Sequence, residues 1–416
     1  MIELHSPLDV AIVGAGAAGL ATAIFAARNN PDLKIAALDG VTKLGAKILV
    51  SGGGRCNVNN REVFADDFNG GSQHIIRRIL NRLPVAETIA FFREIGVTLH
   101  EEEFGKLFPD SNKARTVLDA LIAEARRRNI DLRCEHRVES ITRGADCFDI
   151  STTQGIIRAA HVVLATGGKS LPKTGSDGHG YALAQSLGHS LTPTTPALAP
   201  LVLSGGFHKP LSGIAHDVEL IILKEGQKPV RIRGPMLWTH FGVSGPAALD
   251  ASRHWHRAVL ENRKVKVAAN LLPAETLESL DDRLIAGAKD RPKQKLANAL
   301  TDLLPARVAD AVLAELKISS HVQLAHFSRD DRRRLARAIT EWPLPIIDSR
   351  GYAYAEVTAG GIPLGEIDAK TMQSRVCPGL YLVGEILDCE GRLGGFNFQW
   401  AWSTGFVAAH GLTGGR

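Results

Sequence analysis

The residues whose types and spacing could do chemistry fall in three places. They are a glycine triplet at 14, 16 and 19, an acid at 39, and the run Ser51-Gly52-Gly53-Gly54-Arg55-Cys56-Asn57. Gly14-Ala15-Gly16-Ala17-Ala18-Gly19 follows the apolar stretch Val10-Ala11-Ile12-Val13 and leads into a helical pattern with Leu20, Ala23, Ile24 and Ala27 on one face. In that context Gly14 turns the chain sharply off a strand. Gly16 leaves the backbone open to a pyrophosphate, and Gly19 lets helix and strand pack closely. The helix start adds free N–H groups and a positive dipole end. Asp39 closes a second apolar stretch, Lys34 to Leu38, where a carboxylate can bond ribose hydroxyls. An acid there suits an unphosphorylated ribose, so FAD or NAD rather than NADP. Gly14 through Gly19 and Asp39 are therefore candidate cofactor contacts.

The triple-glycine segment bars regular structure and leaves backbone N–H groups free. Lys47, Ser51, Gly52, Arg55, Cys56 and Asn57 cluster around it, a set suited to phosphate and to the carbonyl-and-nitrogen edge of a flavin. Ile48-Leu49-Val50 should anchor the segment in a core. Thr166 and Gly167 follow the buried-strand pattern Val162-Val163-Leu164-Ala165 and again let backbone approach a ligand. Late in the chain, Gly379–Asp388 reads as a strand stopping at Gly384, Glu385 and Asp388, where an acid could bond ribitol or other hydroxyls. Gly394 and Gly395 then open a helix with Asn397 and Phe398 in its first turn. Its N-terminus can stabilise negative charge on a reduced flavin. Val138, near the head of a short strand over 137–142, completes the cofactor candidates. No catalytic group stands out. His240, beside a glycine-rich turn, is the one weak candidate for proton acceptor, against a buried structural role. Cys56 reads as a small packed thiol beside the ring rather than a reactive one.

These groups need elements to position them. A chain of 416 residues exceeds one small core, so more than one domain is expected. The texture supports an α/β fold: a discontinuous Rossmann-like FAD-binding domain over 1–190 and 350–416. Within it sits a β-rich inserted domain, 191–274 and 342–349, carrying a helical subdomain over 275–341. Residues 113–128 give the clearest helix, with Ala114, Val117, Leu118, Leu121, Ile122 and Ala125 in one stripe. Residues 97–108 suggest a hairpin, and Ser328 with Asp331 resembles a capping box. The net charge of +5 is too diffuse to argue for nucleic acid. Five cysteines without C-x-x-C or zinc spacing suggest free thiols in a reducing compartment and no metal. No leader pattern is seen, and no apolar run reaches the roughly 18 residues of a membrane span, so a cytoplasmic protein with no membrane partner is expected.

Together the motifs resemble those of the bacterial FAD-binding flavoproteins that include aminoacetone oxidase. The resemblance covers nearly the whole chain. It is carried by Gly14-x-Gly16-x-x-Gly19, Lys47–Asn57, Ala165-Thr166-Gly167-Gly168, Thr174–Gly178, Thr239–Pro246, Val357–Ile362, Thr371–Ser374 and Gly384-Glu385 with Gly394–Gln399. The Ser-Gly-Gly-Gly-Arg-Cys-Asn run is its most specific part. It implies a split FAD domain with an inserted β-barrel-like domain and a helical subdomain, and FAD contacts at the positions named above. Asp39 stands where the family often has Glu, and Phe396 where it more often has Tyr.

There is no second glycine motif in a strand–helix context to dock a nicotinamide, and no redox C-x-x-C. The expectation is an oxidoreductase with a single flavin. It would move a hydride or electron pair between a small-molecule substrate and flavin N5, with NAD(P)H, oxygen or another acceptor as redox partner. The alternative is an FAD-binding sensor or accessory flavoprotein without turnover. Substrate and oligomeric state stay open.

Overall fold

The structure is a computed structural model, and it describes residues 7–414. The chain forms two compact units, Met1–Thr195 with Glu356–Arg416, and Pro196–Ala355.

In the first unit, Leu8–Val13 lies in the middle of a seven-stranded sheet. It pairs in parallel with Ile35–Leu38 on one side and with the end of Gly155–Leu164 on the other. Leu380–Leu382 adds in parallel to Gly155–Leu164, and Asp131–Arg133 to Ile35–Leu38. The central strands are almost wholly apolar because both sheet faces are covered. The register is what matters for function. Val13 pairs with Leu38 and with Leu164, and Leu164 pairs with Leu382. Four strands thus end level at one carboxyl edge, where ligands of such sheets bind. Away from that edge, the first half of Gly155–Leu164 turns into an antiparallel meander with Phe148–Thr152 and Val138–Arg143.

Ala17–Asn29 is buried from Ala18 through Ala27, wider than the single stripe expected. It packs on Phe396–Leu412, and a Cβ at Gly405 would come within 3.0 Å of Ala18 O, Ala21 Cβ and Thr22 N. The helix expected over 113–128 spans Ala114–Arg127 and buries Ala114, Val117, Leu118, Leu121 and Ala125. The hairpin expected over 97–108 pairs Leu99–Glu102 with Lys106–Pro109.

The second unit holds a seven-stranded antiparallel sheet ordered 342–344, 265–270, 215–224, 230–239, 242–244, 201–203, 346–349. Its two outermost strands, Trp342–Leu344 and Ile346–Ser349, are separated only by Pro345. The two edges must therefore meet, and the sheet curls into a barrel-like form. Helices from Leu277 to Thr340 share a single core with this sheet. Leu280, Leu300, Val312 and Leu335 cluster with Leu220, Trp238 and Val267, so the helices have no core apart from the sheet. The Ser328 hydroxyl accepts the Asp331 N–H at 3.1 Å and caps Arg329–Thr340, while the Asp331 carboxylate accepts the Ser328 hydroxyl rather than its N–H, so half of the expected capping box forms. Among the described residues no helix is long and apolar enough to cross a membrane.

Candidate functional site

The strand ends at the common edge are followed at once by the sequence-distant candidates: Gly14, Asp39, Thr166 and Gly167, Gly384 and Glu385. At Gly14 the backbone has φ +101°, and a Cβ would stand 2.5 Å from the Ala165 carbonyl oxygen. At Gly19 it would stand 1.9 Å from the Gly14 carbonyl oxygen. Both glycines are demanded by the protein itself. Gly16 differs: its φ of −84° is open to any residue, and a Cβ there would meet no protein atom within 4 Å. The protein itself leaves room for a side chain at 16. Ala17 and Ala18 form the first helical turn behind it, with Ala18 Cβ 2.8 Å from a Cβ placed on Gly384.

Asp39 buttresses this turn, accepting the Ala15 N–H at 2.9 Å and the Val41 N–H at 3.2 Å. Burial pushes its carboxyl upward, against hydrogen bonds from the Ala15, Val41 and Gly40 N–H groups. The chain before Val138 runs beside it: the His136 N–H donates to Asp39 O at 2.8 Å, and the Glu135 N–H to Val41 O at 3.2 Å. Val138 itself is buried.

The loop after Asp39 differs from its expectation in three places. A short helix, Ala46–Val50, precedes it, and only Ile48 is buried; Val50 is half exposed. The Ser51 hydroxyl donates back to Ile48 O at 2.7 Å, and Gly52, Gly53 and Gly54 all have positive φ. Arg55 is not free for phosphate. Its guanidinium makes a two-pronged pair with Glu102 at 2.7 and 3.0 Å, reaches Asn112 Oδ1 at 3.2 Å, and lies 4.0 Å from the Phe108 ring centroid. Cys56 is fully buried, and burial pushes its thiol up to about 12, so it is packing and not a nucleophile. The Asn57 Oδ1 is buried and has no hydrogen-bond partner. That atom awaits a donor, which a flavin ring edge supplies.

Gly167 has φ +71°, and a Cβ there would lie 2.8 Å from Ser176 Oγ, itself buried without a partner. Glu385 is a hub rather than a ribitol ligand. Its Oε2 pairs with Lys47 Nζ, while its Oε1 accepts from Ser170 Oγ at 2.8 Å and from the Thr358 N–H at 3.0 Å. Lys47 also donates to Ser170 Oγ. Ser170 and Thr358 were missed as site residues, although Thr358 lies within one of the motifs quoted above. Each lies two residues from a glycine, Gly168 and Gly360.

The helix Phe396–Leu412 starts at Gly395, where φ is +96° and a Cβ would lie 2.3 Å from Asn59 C and O. The segment that follows the triple glycine and this helix are thus in backbone contact, and buried amides lock them. Asn59 donates to Gln399 Oε1, which also accepts from Thr88 Oγ1 at 3.0 Å, and Gln399 Nε2 donates to Leu83 O at 2.6 Å. Asn60 Nδ2 donates to Gly394 O at 2.9 Å and to Phe104 O at 3.0 Å. These asparagines and the glutamine were not anticipated; nothing in a single sequence marks a polar residue as buried. Asn397 is a turn clamp. Its Oδ1 accepts the Gly391 N–H at 2.8 Å and its Nδ2 donates to Gly391 O at 3.0 Å, which fixes the amide on the turn before the helix. Its backbone N–H is still one of the first-turn amides a helix cannot satisfy internally. Phe398 stacks on Trp402 at 5.4 Å. Asp388 sits over the Gly70–Gly71 turn, accepting the Gly71 N–H on its carbonyl at 2.8 Å. His240 is exposed at the turn between two strands of the second unit, 5.1 Å from the Phe241 ring, and is not the buried structural histidine expected.

A dinucleotide with a flavin fits these residues. The Gly14–Gly19 turn, with open space at 16, would hold its pyrophosphate, and Asn57 with the first amides of Phe396–Leu412 would hold its ring edge. Among the described residues, no group of three or more His, Cys, Asp or Glu is placed to hold a metal.

A model of the HI0933-like protein Rossmann domain matches residues 8–411. The chain belongs to the HI0933-like family. Its relatives include the 3-dehydro-bile acid delta(4,6)-reductase of Clostridium scindens, 33% identical over 96% of this chain and 97% of that protein. The ribosomal RNA dihydrouridine synthase of Escherichia coli is 34% identical over 97% and 98%. The Haemophilus influenzae protein of the same description is 33% identical over 96% of each. Among solved structures, a quinol fumarate reductase chain of E. coli superposes with a TM-score of 0.51 at 19% identity, covering 98% of this chain and 70% of that one, a likeness of fold alone. Family and fold together support a redox protein of the flavin type.

Proposed function

We propose that this chain binds FAD and reduces a carbon–carbon double bond conjugated to a carbonyl. The observation that carries the cofactor half is the level carboxyl edge, with Gly16 open to a ligand and Asn57 Oδ1 buried without a partner. The substrate half rests on chemistry common to the relatives. A delta(4,6)-reductase of a 3-dehydro-bile acid and a dihydrouridine synthase each saturate a C=C bond next to a carbonyl-bearing π-system. FAD, when bound, supplies the hydride from N5. The chain's own groups bind and orient. Gly14–Gly19 and the first helix hold the pyrophosphate, and Asp39 faces the ribose. The helix at Gly395 offers N–H groups and a positive dipole end to the charge that accumulates on the flavin as it is reduced. All five cysteines are free thiols, which fits a reducing compartment such as the cytoplasm.

A nicotinamide donor remains the proposed electron source, acting transiently. Two acceptors compete. A small enone suits the bile-acid comparison. RNA has one observation in its favour: residues 196–355 carry 23 Lys and Arg against 17 Asp and Glu, while the rest carries 26 against 27. The positive excess therefore sits wholly in the inserted unit, although the net charge alone had argued against nucleic acid.

The test is anaerobic. Flavin in the purified protein is reduced with NADH, NADPH or dithionite, then mixed with androst-4-ene-3,17-dione, with ribosomal RNA lacking dihydrouridine, or with oxygen. Return of the oxidised-flavin band with the enone or the RNA supports the proposal and names the acceptor. Reoxidation by oxygen alone points to an oxidase, and a flavin that no donor reduces points to the sensor alternative.

A further inference from the structure

The tip of the hairpin Leu99–Pro109 carries a residue that packing does not explain. Phe104 is 62% exposed and has φ +62°, in the left-handed region that a phenylalanine enters only at a cost. Glycine or asparagine would form this turn with less strain. The tip is nevertheless held firmly. The Arg61 N–H donates to Gly105 O at 2.7 Å, and the buried amide of Asn60 bonds Phe104 O and Gly394 O at once. One side chain therefore fixes the aromatic tip to the start of the helix Phe396–Leu412, where the flavin ring edge is assigned. Lys106 Nζ lies 5.5 Å from the Phe104 ring centroid. A strained, exposed, rigidly held aromatic beside a site signals use by a ligand.

We infer that Phe104 is a substrate-binding platform on which a planar, carbonyl-conjugated substrate stacks, with the Lys106 ammonium beside its carbonyl or anionic group. This rests on the enone-reduction reading above. Stacking needs only a flat π-face and little shape match. One platform therefore serves substrates as unlike as a fused-ring enone and a pyrimidine.

The test uses the FAD-loaded protein and the variants Phe104→Ala, Phe104→Gly and Phe104→Trp. Androst-4-ene-3,17-dione and uridine monophosphate are titrated into the oxidised protein, and perturbation of the flavin band is followed. The same probes are then mixed with the reduced protein. Both the alanine and glycine variants should bind the preferred probe about tenfold more weakly, the size of one lost stacking contact. The tryptophan variant should restore binding. Reoxidation by oxygen should not change in any of them. The glycine variant relieves the backbone and should melt no lower than wild type, so its weaker binding cannot come from misfolding. Equal affinity of wild type, alanine and glycine variants overturns the inference, as does failure of both probes to bind wild type. Binding that depends on Phe104 without reoxidation by either probe keeps the platform and defeats the enone-reduction reading instead.

Discussion

Replacing Gly16 by alanine separates what the glycine turn does for the fold from what it does for a ligand. An added Cβ at 16 meets no protein atom within 4 Å, and the φ of −84° is ordinary. The ligand-free protein should therefore keep its stability to within about 0.5 kcal/mol. Gly14→Ala is the control. Its Cβ would stand 2.5 Å from Ala165 O at φ +101°, so it should lose roughly 1–3 kcal/mol or more from backbone strain and collision. The assay is thermal unfolding with and without added FAD. For wild type, FAD at about 100 times its dissociation constant adds ~2.7 kcal/mol, a shift of several degrees. Gly16→Ala should unfold like wild type without FAD and gain little or nothing with it. Its FAD affinity should fall at least about tenfold, or ~1.4 kcal/mol. An alanine variant that retains FAD with wild-type affinity would refute the placement of the pyrophosphate. A variant that is destabilised without FAD would show instead that the protein, not the ligand, requires glycine at this position.

Glu124 is buried at 3% side-chain exposure and bonded by Arg28, Arg127 and Arg128. Burial alone would raise its carboxyl, but the hydrogen bonds from Arg127, Arg128 and Arg28 hold it below the ordinary value. A lowered folded value means that its stabilisation is complete above the unfolded pKa near 4.3 and is lost as pH falls through the folded value. Glu124→Gln should cost about 1–3 kcal/mol in urea at pH 7, discounted because the arginines are partly exposed, and the deficit should shrink toward pH 3. Asn59→Ala removes a buried donor from Gln399 and should cost about 1–3 kcal/mol while loosening the loop against the last helix, read as lower melting temperature and faster FAD loss. Iodoacetamide at pH 8 should leave Cys56 unlabelled in the native protein and label it on unfolding, since burial holds its thiol near 12; native labelling would show a reactive site.

The parts of the site that were legible in the sequence are those where backbone is the functional group. Glycines at strand ends and helix starts announce where a chain must turn or come close to another segment, and Gly14, Gly167 and Gly395, all at positive φ, turn the chain where their positions suggest. Side chains fared differently, because what a polar group bonds is decided by residues far away in sequence. Arg55 looked like a phosphate ligand until Glu102, 47 residues on, was found to hold it. Glu385 and Asn397 looked like cofactor contacts and instead bond Lys47 with Ser170, and Gly391. Asn59, Asn60 and Gln399 gave no signal, yet they join the two segments between which a flavin edge fits. The inserted unit shows the same division. It was legible as β-rich, but barrel-like closure follows only from the pairing order, in which Pro345 connects the two outermost strands. A backbone turn can therefore be read from pattern alone. Side chains such as Phe104 acquire meaning only when pairing brings the hairpin tip to the start of the last helix.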